Sequence, residues 1–172
     1  LLLFRWIKAA SGWSGVESHW SLALTSMIWI SVAMAQLQRL EIRGRMAQIR
    51  AGLAALFGLS AVGLMFAATT MANPLLNARE MVLGPPLLNT LTVAYLLPAL
   101  VLAFGLWRLP DLHRLVRIGM STAALALGAL WFGLTIRHFW QGATGMASGS
   151  VTQAELYSYT VVLLIVGAGL FY

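Results

Sequence analysis

Between Arg117 and Arg137 the chain reads IGMSTAALALGALWFGLTI, residues 118–136, without one charged side chain. At 1.5 Å of rise per residue, a helix of that length nearly matches a hydrocarbon core of roughly 30 Å. Lipid offers no water to backbone N–H and C=O groups, so a segment immersed in it pairs those groups internally as a helix. Four further windows share the property: 20–38, 51–72, 89–107 and 156–172. The alternating ten-residue pattern of a membrane β-barrel is absent. The expected fold is an all-α, polytopic transmembrane helical bundle. It has five full spans, a partial N-terminal helix over residues 1–9, and a single transmembrane region across 1–172. The apolar starts and stops at Leu1-Leu2-Leu3-Phe4 and Phe171-Tyr172 read as cuts through helices, so a longer multi-span protein is expected.

Composition points the same way. The chain is 60% hydrophobic and 9% charged, against roughly half and a quarter in soluble domains. A soluble fold of this size has too much surface to hide so much apolar side chain. The basic residues explain the high isoelectric point without nucleic acid. Arg39, Arg43, Arg45 and Arg50 fall in one short loop, and Arg108, Arg114 and Arg117 fall in another. Lys and Arg concentrate on the cytoplasmic side of membrane proteins. Loops 39–50 and 108–117 are therefore expected inside, and loops 10–19, 73–88 and 137–155 outside. Arg39, Arg43, Arg45 and Arg50 are candidate contacts for anionic lipid, at about 1 kcal/mol for each charge near an acidic leaflet. No Cys and three His leave little for a metal site, and no cofactor is expected.

Local signals refine the elements. Asn73-Pro74 and Gly84-Pro85-Pro86 break helices, and Asp111 after Pro110 reads as an N-cap. Trp13, Trp20, Trp107, Trp140, Tyr157 and Tyr159 fall near water interfaces, whereas Trp29 and Trp131 lie within spans and pack. Ala54/Gly58, Ala124/Gly128 and Ala129/Gly133 are spaced to let helix backbones approach, and the Met residues read as core filler.

Four polar groupings carry whatever chemistry is available. Arg137 and His138 end one helix, and Glu155 and Tyr157 begin the next; a hairpin brings them to one interface as an ion pair, an anion site or a proton-exchanging group. Glu17 and His19 share the same expected side. Asn89, Thr90, Thr92, Tyr95 and Pro98 occupy one span, where Pro98 removes a backbone hydrogen bond; Asn89, Thr92, Tyr95 and Pro98 are the cavity-lining candidates, with interhelical packing as the alternative. The fourth grouping is the Arg-rich loop.

Two stretches resemble a known family. They are Gly84-Pro85-Pro86-Leu87-Leu88-Asn89 running to Tyr95-Leu96-Leu97-Pro98-Ala99-Leu100, and Leu134-Thr135-Ile136-Arg137-His138-Phe139-Trp140-Gln141-Gly142 followed by Ala154-Glu155-Leu156-Tyr157-Ser158-Tyr159. They are similar to the bacterial predicted membrane proteins grouped as domain of unknown function 2339, over roughly residues 84–172 and more loosely over the whole chain. The family pattern often has Glu where Thr135 stands and a second His where Gln141 stands, so this chain has fewer ionisable groups there. The resemblance implies a long, many-helix inner-membrane protein and brings no activity. Three expectations follow: a scaffold or a lipid- or solute-pathway module, an envelope lipid or glycan enzyme at the periplasmic interface, or an accessory subunit of an energy-transducing complex. Membrane lipids and other transmembrane helices are the expected partners.

Overall fold

The computed structural model describes residues 18–39, 45–78, 80–142 and 146–171. The expected helix over residues 1–9, Glu17, Arg43 and Arg79 lie outside them. Among the described residues there are five helices and the chain is all-α. They are α1 (His19–Gln38), α2 (Arg45–Thr70), α3 (Thr92–Arg108, opening with a π-helical turn over Thr92–Leu96), α4 (Arg114–Gln141) and α5 (Gln153–Phe171). Three stretches, His19–Gln38, Met46–Thr70 and Arg114–Gln141, are long and apolar enough to cross a membrane, and Thr92–Arg108 is a shorter apolar helix.

Helix and charge-free window do not share ends: α2 stops at Thr70 and α3 starts at Thr92, inside their windows, whereas other ends overrun. α2 starts at Arg45 and takes in Arg50, while α4 starts at Arg114 and runs past Arg137. A window without charges marks an apolar slab, whereas the helix continues until a capping or breaking residue ends it. Asp111 is not the cap of α4. His113 takes that position, its Nδ1 accepting from the Leu115 N–H at 3.3 Å. At the far end Gly142 adopts φ +72° and its N–H returns to the His138 carbonyl, the left-handed stop for which Gly is suited.

Pro98 explains the π-turn. It has no N–H, and its ring crowds the carbonyl four residues earlier. The backbone widens ahead of it, so that the Leu97 N–H reaches Thr92 O, five residues back.

α1 and α2 form the main packed pair. Ala23, Ser26 and Ala33 of α1 are buried, as are Ala54, Ala61 and Ala68 of α2, seven residues apart. Ser26 Oγ donates to the Ala61 carbonyl across this seam at 2.8 Å, and Trp29 stacks on Phe57. Of the small-residue pairs expected to make contacts, Ala54 is buried here, but nothing lies within 4 Å of where a Cβ would stand on Gly58, Gly128 or Gly133. Ala spaced by seven, and not Gly spaced by four, makes the seam, because two turns bring a residue back to the face turned to α1. Gly105 is the glycine that a close approach requires, since a Cβ there would run into the Met34 side chain of α1.

Tyr95, Leu91, Ala94, Ala99 and Leu102 from α3 and its entry pack with Leu127 and Leu134 of α4 at the centre. Met146 joins this core, but Met46, Met71 and Met81 are exposed and fill nothing. The outer faces stay apolar, as Leu59, Val62, Phe66, Leu125 and Leu163 show.

Ala61→Leu is expected to lower the thermal midpoint in detergent, because overpacking a seam costs about 1–3 kcal/mol. Gly58→Leu, one turn away on an open face, is expected to leave the midpoint unchanged or raised. A scan of both variants separates the two faces of α2.

Candidate functional site

Two polar nodes stand among the packed helices. The first joins α4 to α5. Thr152 Oγ1 accepts from the Glu155 N–H at 3.2 Å, half of a Thr-x-x-Glu capping box. The Glu155 carboxylate turns toward α4. Arg137 Nη1 donates to Oε1 at 3.0 Å, Gln141 Nε2 to Oε2 at 3.0 Å, and the Tyr159 hydroxyl to Oε1 at 3.2 Å. The remaining guanidinium groups are also used, Nε on the Met146 carbonyl at 2.6 Å and Nη2 on the Gly149 carbonyl at 2.8 Å. Gln141 Nε2 donates as well to the Ser150 carbonyl. Trp140 Nε1 donates to Ser158 Oγ beside the node at 3.0 Å.

The Glu155 side chain is 0% exposed and that of Arg137 12%. Glu155 stands just ahead of the charge-free stretch 156–172. Burial opposes its ionisation, but hydrogen bonds from Gln141, Arg137 and Tyr159, with the guanidinium charge, outweigh burial and hold the carboxyl below the usual carboxylate range.

Of the four residues expected to cluster here, Arg137 and Glu155 meet. His138 and Tyr157 do not join them. His138 makes no hydrogen bond to the pair: it is buried, and its Nδ1 has no hydrogen-bond partner among the described residues. Tyr157 is 70% exposed. Gln141 and Tyr159 take their places. The Thr-x-x-Glu spacing and the i, i+4 relations Arg137/Gln141 and Glu155/Tyr159 were the available signals, since residues four apart share a helix face.

The second node lies where α1, the 71–91 connection and α3 converge. Ser18 caps α1, its Oγ accepting from the Ser21 N–H, which sets His19 on the first turn, facing inward and 0% exposed. His19 Nδ1 is 2.8 Å from Glu80 Oε2 and Nε2 is 3.1 Å from Thr90 Oγ1. The imidazole stacks on Tyr95, whose hydroxyl donates to the Ala68 carbonyl. Gly84, at φ +106°, lets the connection fold back, since any Cβ there would meet the Leu88 carbonyl oxygen. That fold brings the Leu83 N–H to Thr90 Oγ1 at 3.3 Å. His19 thus pairs with Glu80, 61 residues away; its expected neighbour Glu17 lies outside the described residues.

The span residues considered as cavity lining are packed. Asn89 Oδ1 accepts from the Thr92 N–H and caps α3, Thr92 Oγ1 accepts from Trp131 Nε1, and Tyr95 and Pro98 are buried. Two apolar grooves lie elsewhere. One of about 350 Å³ runs past Leu87, Trp131, Thr135 and Trp140. The other, about 460 Å³, separates α4 from α5 beside Gly128, Gly133, Tyr159 and Val166. In the Arg-rich loop, Arg39 is exposed at the end of α1 and Arg50 Nη1 donates to its carbonyl.

The family model for the predicted membrane proteins of domain of unknown function 2339 matches residues 1–172. The chain belongs to this family. No curated protein and no solved structure matches it. This member of the family is accordingly a membrane protein with several candidate spans, and what its two nodes do is read from their geometry.

Arg137→Ala or Glu155→Ala is expected to cost about 3–5 kcal/mol, the usual penalty for stranding one partner of a buried pair. Tyr157→Ala is expected to cost under about 0.5 kcal/mol, as at an ordinary surface site. Thermal unfolding in detergent checks both. The pH dependence has a definite sign. The folded carboxyl of Glu155 titrates below its unfolded value, so its stabilisation is complete above about pH 4.3 and is lost as pH falls through the folded value. Between pH 6 and 3 the wild-type midpoint should fall more than that of Glu155→Gln.

Proposed function

We propose that the chain is a structural module of the bacterial inner membrane, five spans passing through the bilayer as the scaffold of a larger assembly or as a wall of a lipid or solute pathway. The observation that carries this reading is the closure of the Arg137–Glu155 node. Both carboxylate oxygens and all three guanidinium nitrogens are engaged by protein groups. A group that serves as a general base has to reach the proton it takes, directly or through one water. A carboxylate occupied in this way instead fixes α5 against α4. The envelope-enzyme reading through Arg137, His138, Glu155 and Tyr157 loses its support, because His138 and Tyr157 make no hydrogen bond to the pair.

The apolar outer faces of α2, α4 and α5 suit lipid and neighbouring transmembrane helices, as in the accessory-subunit reading. The Arg-rich turns 39–50 and 108–117 belong to the cytoplasmic side on the positive-inside rule, with Arg39, Arg43, Arg45 and Arg50 near anionic headgroups. Connections 10–19, 73–88 and 137–155 then face the periplasm.

A sequence without Cys makes the topology simple to test with single cysteines. Leu112→Cys is expected to resist an impermeant maleimide applied to intact spheroplasts, and Val151→Cys to react. The reverse pattern overturns the orientation. For the scaffold itself, Arg137→Ala should reduce yield and co-purifying membrane partners together. Intact folding and assembly alongside a clean loss of some activity would refute it.

A further inference from the structure

The geometry points to a second role, at the other node: Thr90, His19 and Glu80 form a nucleophile, base and carboxylate aligned to accept an acyl group from an ester of a membrane lipid. This is independent of the scaffold reading, since it uses neither Arg137 nor Glu155.

The proton positions follow from the hydrogen bonds. Thr90 Oγ1 accepts from the Leu83 N–H and lies 3.1 Å from His19 Nε2; in the neutral imidazole a carboxylate taking the Nδ1 proton leaves Nε2 to accept the Thr90 hydroxyl proton. Nε2 is then the acceptor nitrogen, and the ring proton sits on Nδ1, directed at Glu80 Oε2 at 2.8 Å. Both ring nitrogens are assigned by their partners, as a base held in one tautomer by a carboxylate requires. Tyr95 lies nearly parallel to the imidazole, 6.4 Å between ring centroids. Two elements supply the three groups, α1 giving His19 and the 71–91 connection giving Glu80 and Thr90, and Gly84 is the position that allows that connection to fold back to Thr90.

The surroundings select the substrate class. His19 is sealed, while Thr90 and Glu80 are each partly exposed, so the nucleophile is within reach of the surface. Beside it the connection displays Met81, Leu83, Leu87 and Leu88, an apolar rim suited to acyl chains and placed where a span ends and lipid ester groups lie. Thr90 also stands at the entry to α3, whose N-terminal dipole favours the negative charge that develops on an attacked carbonyl oxygen.

The reaction balances within these groups and water. Thr90 Oγ1 bonds to the ester carbonyl carbon as its proton passes to His19 Nε2. The carbon–alkoxide bond breaks, and His19 returns that proton to the departing alcohol. Water then attacks the Thr90 acyl ester, giving its proton to His19, and the fatty acid leaves as Thr90 recovers the proton. Glu80 is a positioning residue throughout, touching only the imidazole.

The test uses the full-length protein in lipid nanodiscs with a long-chain alkyl fluorophosphonate, in which Oγ1 displaces fluoride from phosphorus. Peptide mass mapping should find one adduct on Thr90. His19→Ala should slow its formation by about 100-fold or more, Glu80→Gln should slow it too, and Thr90→Ser should preserve it. A folded wild-type protein that acquires no adduct at Thr90 overturns the proposal. So does an adduct that forms at the same rate in folded His19→Ala, or a Thr90→Val variant that only loses stability while the wild type stays unlabelled.

Discussion

In the hydrocarbon, a hydrogen bond that the protein does not make is made by nothing else. Five described hydroxyls within the apolar stretches meet this constraint locally, whereas the buried Thr135 Oγ1 has no partner among the described residues. Thr25, Ser31, Ser60, Thr70 and Thr160 each donate to the carbonyl four residues back on their own helix. Ser26 is different, because it reaches across to α2. The same constraint places the ionisable groups. The Arg137–Glu155 ion pair and the hydrogen-bonded His19–Glu80 pair lie at helix ends where connections can fold over them and supply carbonyls and hydroxyls. Between them the helices are held by dispersion and by close contact of small residues.

Much of this architecture was legible in the sequence because charge avoidance is a one-dimensional signal. The windows 20–38 and 118–136 each fall inside the helix they anticipate. What those windows could not contain was the rule by which each helix stops. α4 runs on through Arg137 because its end is set by Gly142, and it begins under His113 because that side chain reaches the free Leu115 N–H where Asp111 does not. The disturbance at Pro98 was foreseeable from the missing N–H, but its form as a π-turn depends on how α1 and α4 confine the backbone. The α1–α2 seam was obscured by abundance: Ala and Gly recur throughout the chain, and only packing distinguishes Ala61 from Gly58.

The polar nodes divide along similar lines. Arg137 and Glu155 could be paired in advance because a hairpin joins the ends of consecutive helices, and helical spacing would have added Gln141 and Tyr159. At position 141 an amide gives the carboxylate a hydrogen bond without adding a titrating group. His19 and Glu80 were not legible as partners. They are 61 residues apart, and the segment carrying Glu80 has no periodicity from which its path can be read. Its course depends on a tight turn at Gly84 and on Thr90 accepting a backbone N–H, which are properties of the folded chain.

α4 and α5 are joined by hydrogen bonds at one tip and diverge along a groove of about 460 Å³. Two rods hinged in this way behave like a pair of dividers. α5 has 19 residues, a lever of roughly 28 Å at 1.5 Å per residue. A 10° change in its seating at the hinge carries the free tip about 5 Å, the width of a side chain. A change of side chain at position 141 is thereby geared up into the width of the groove between the two helices.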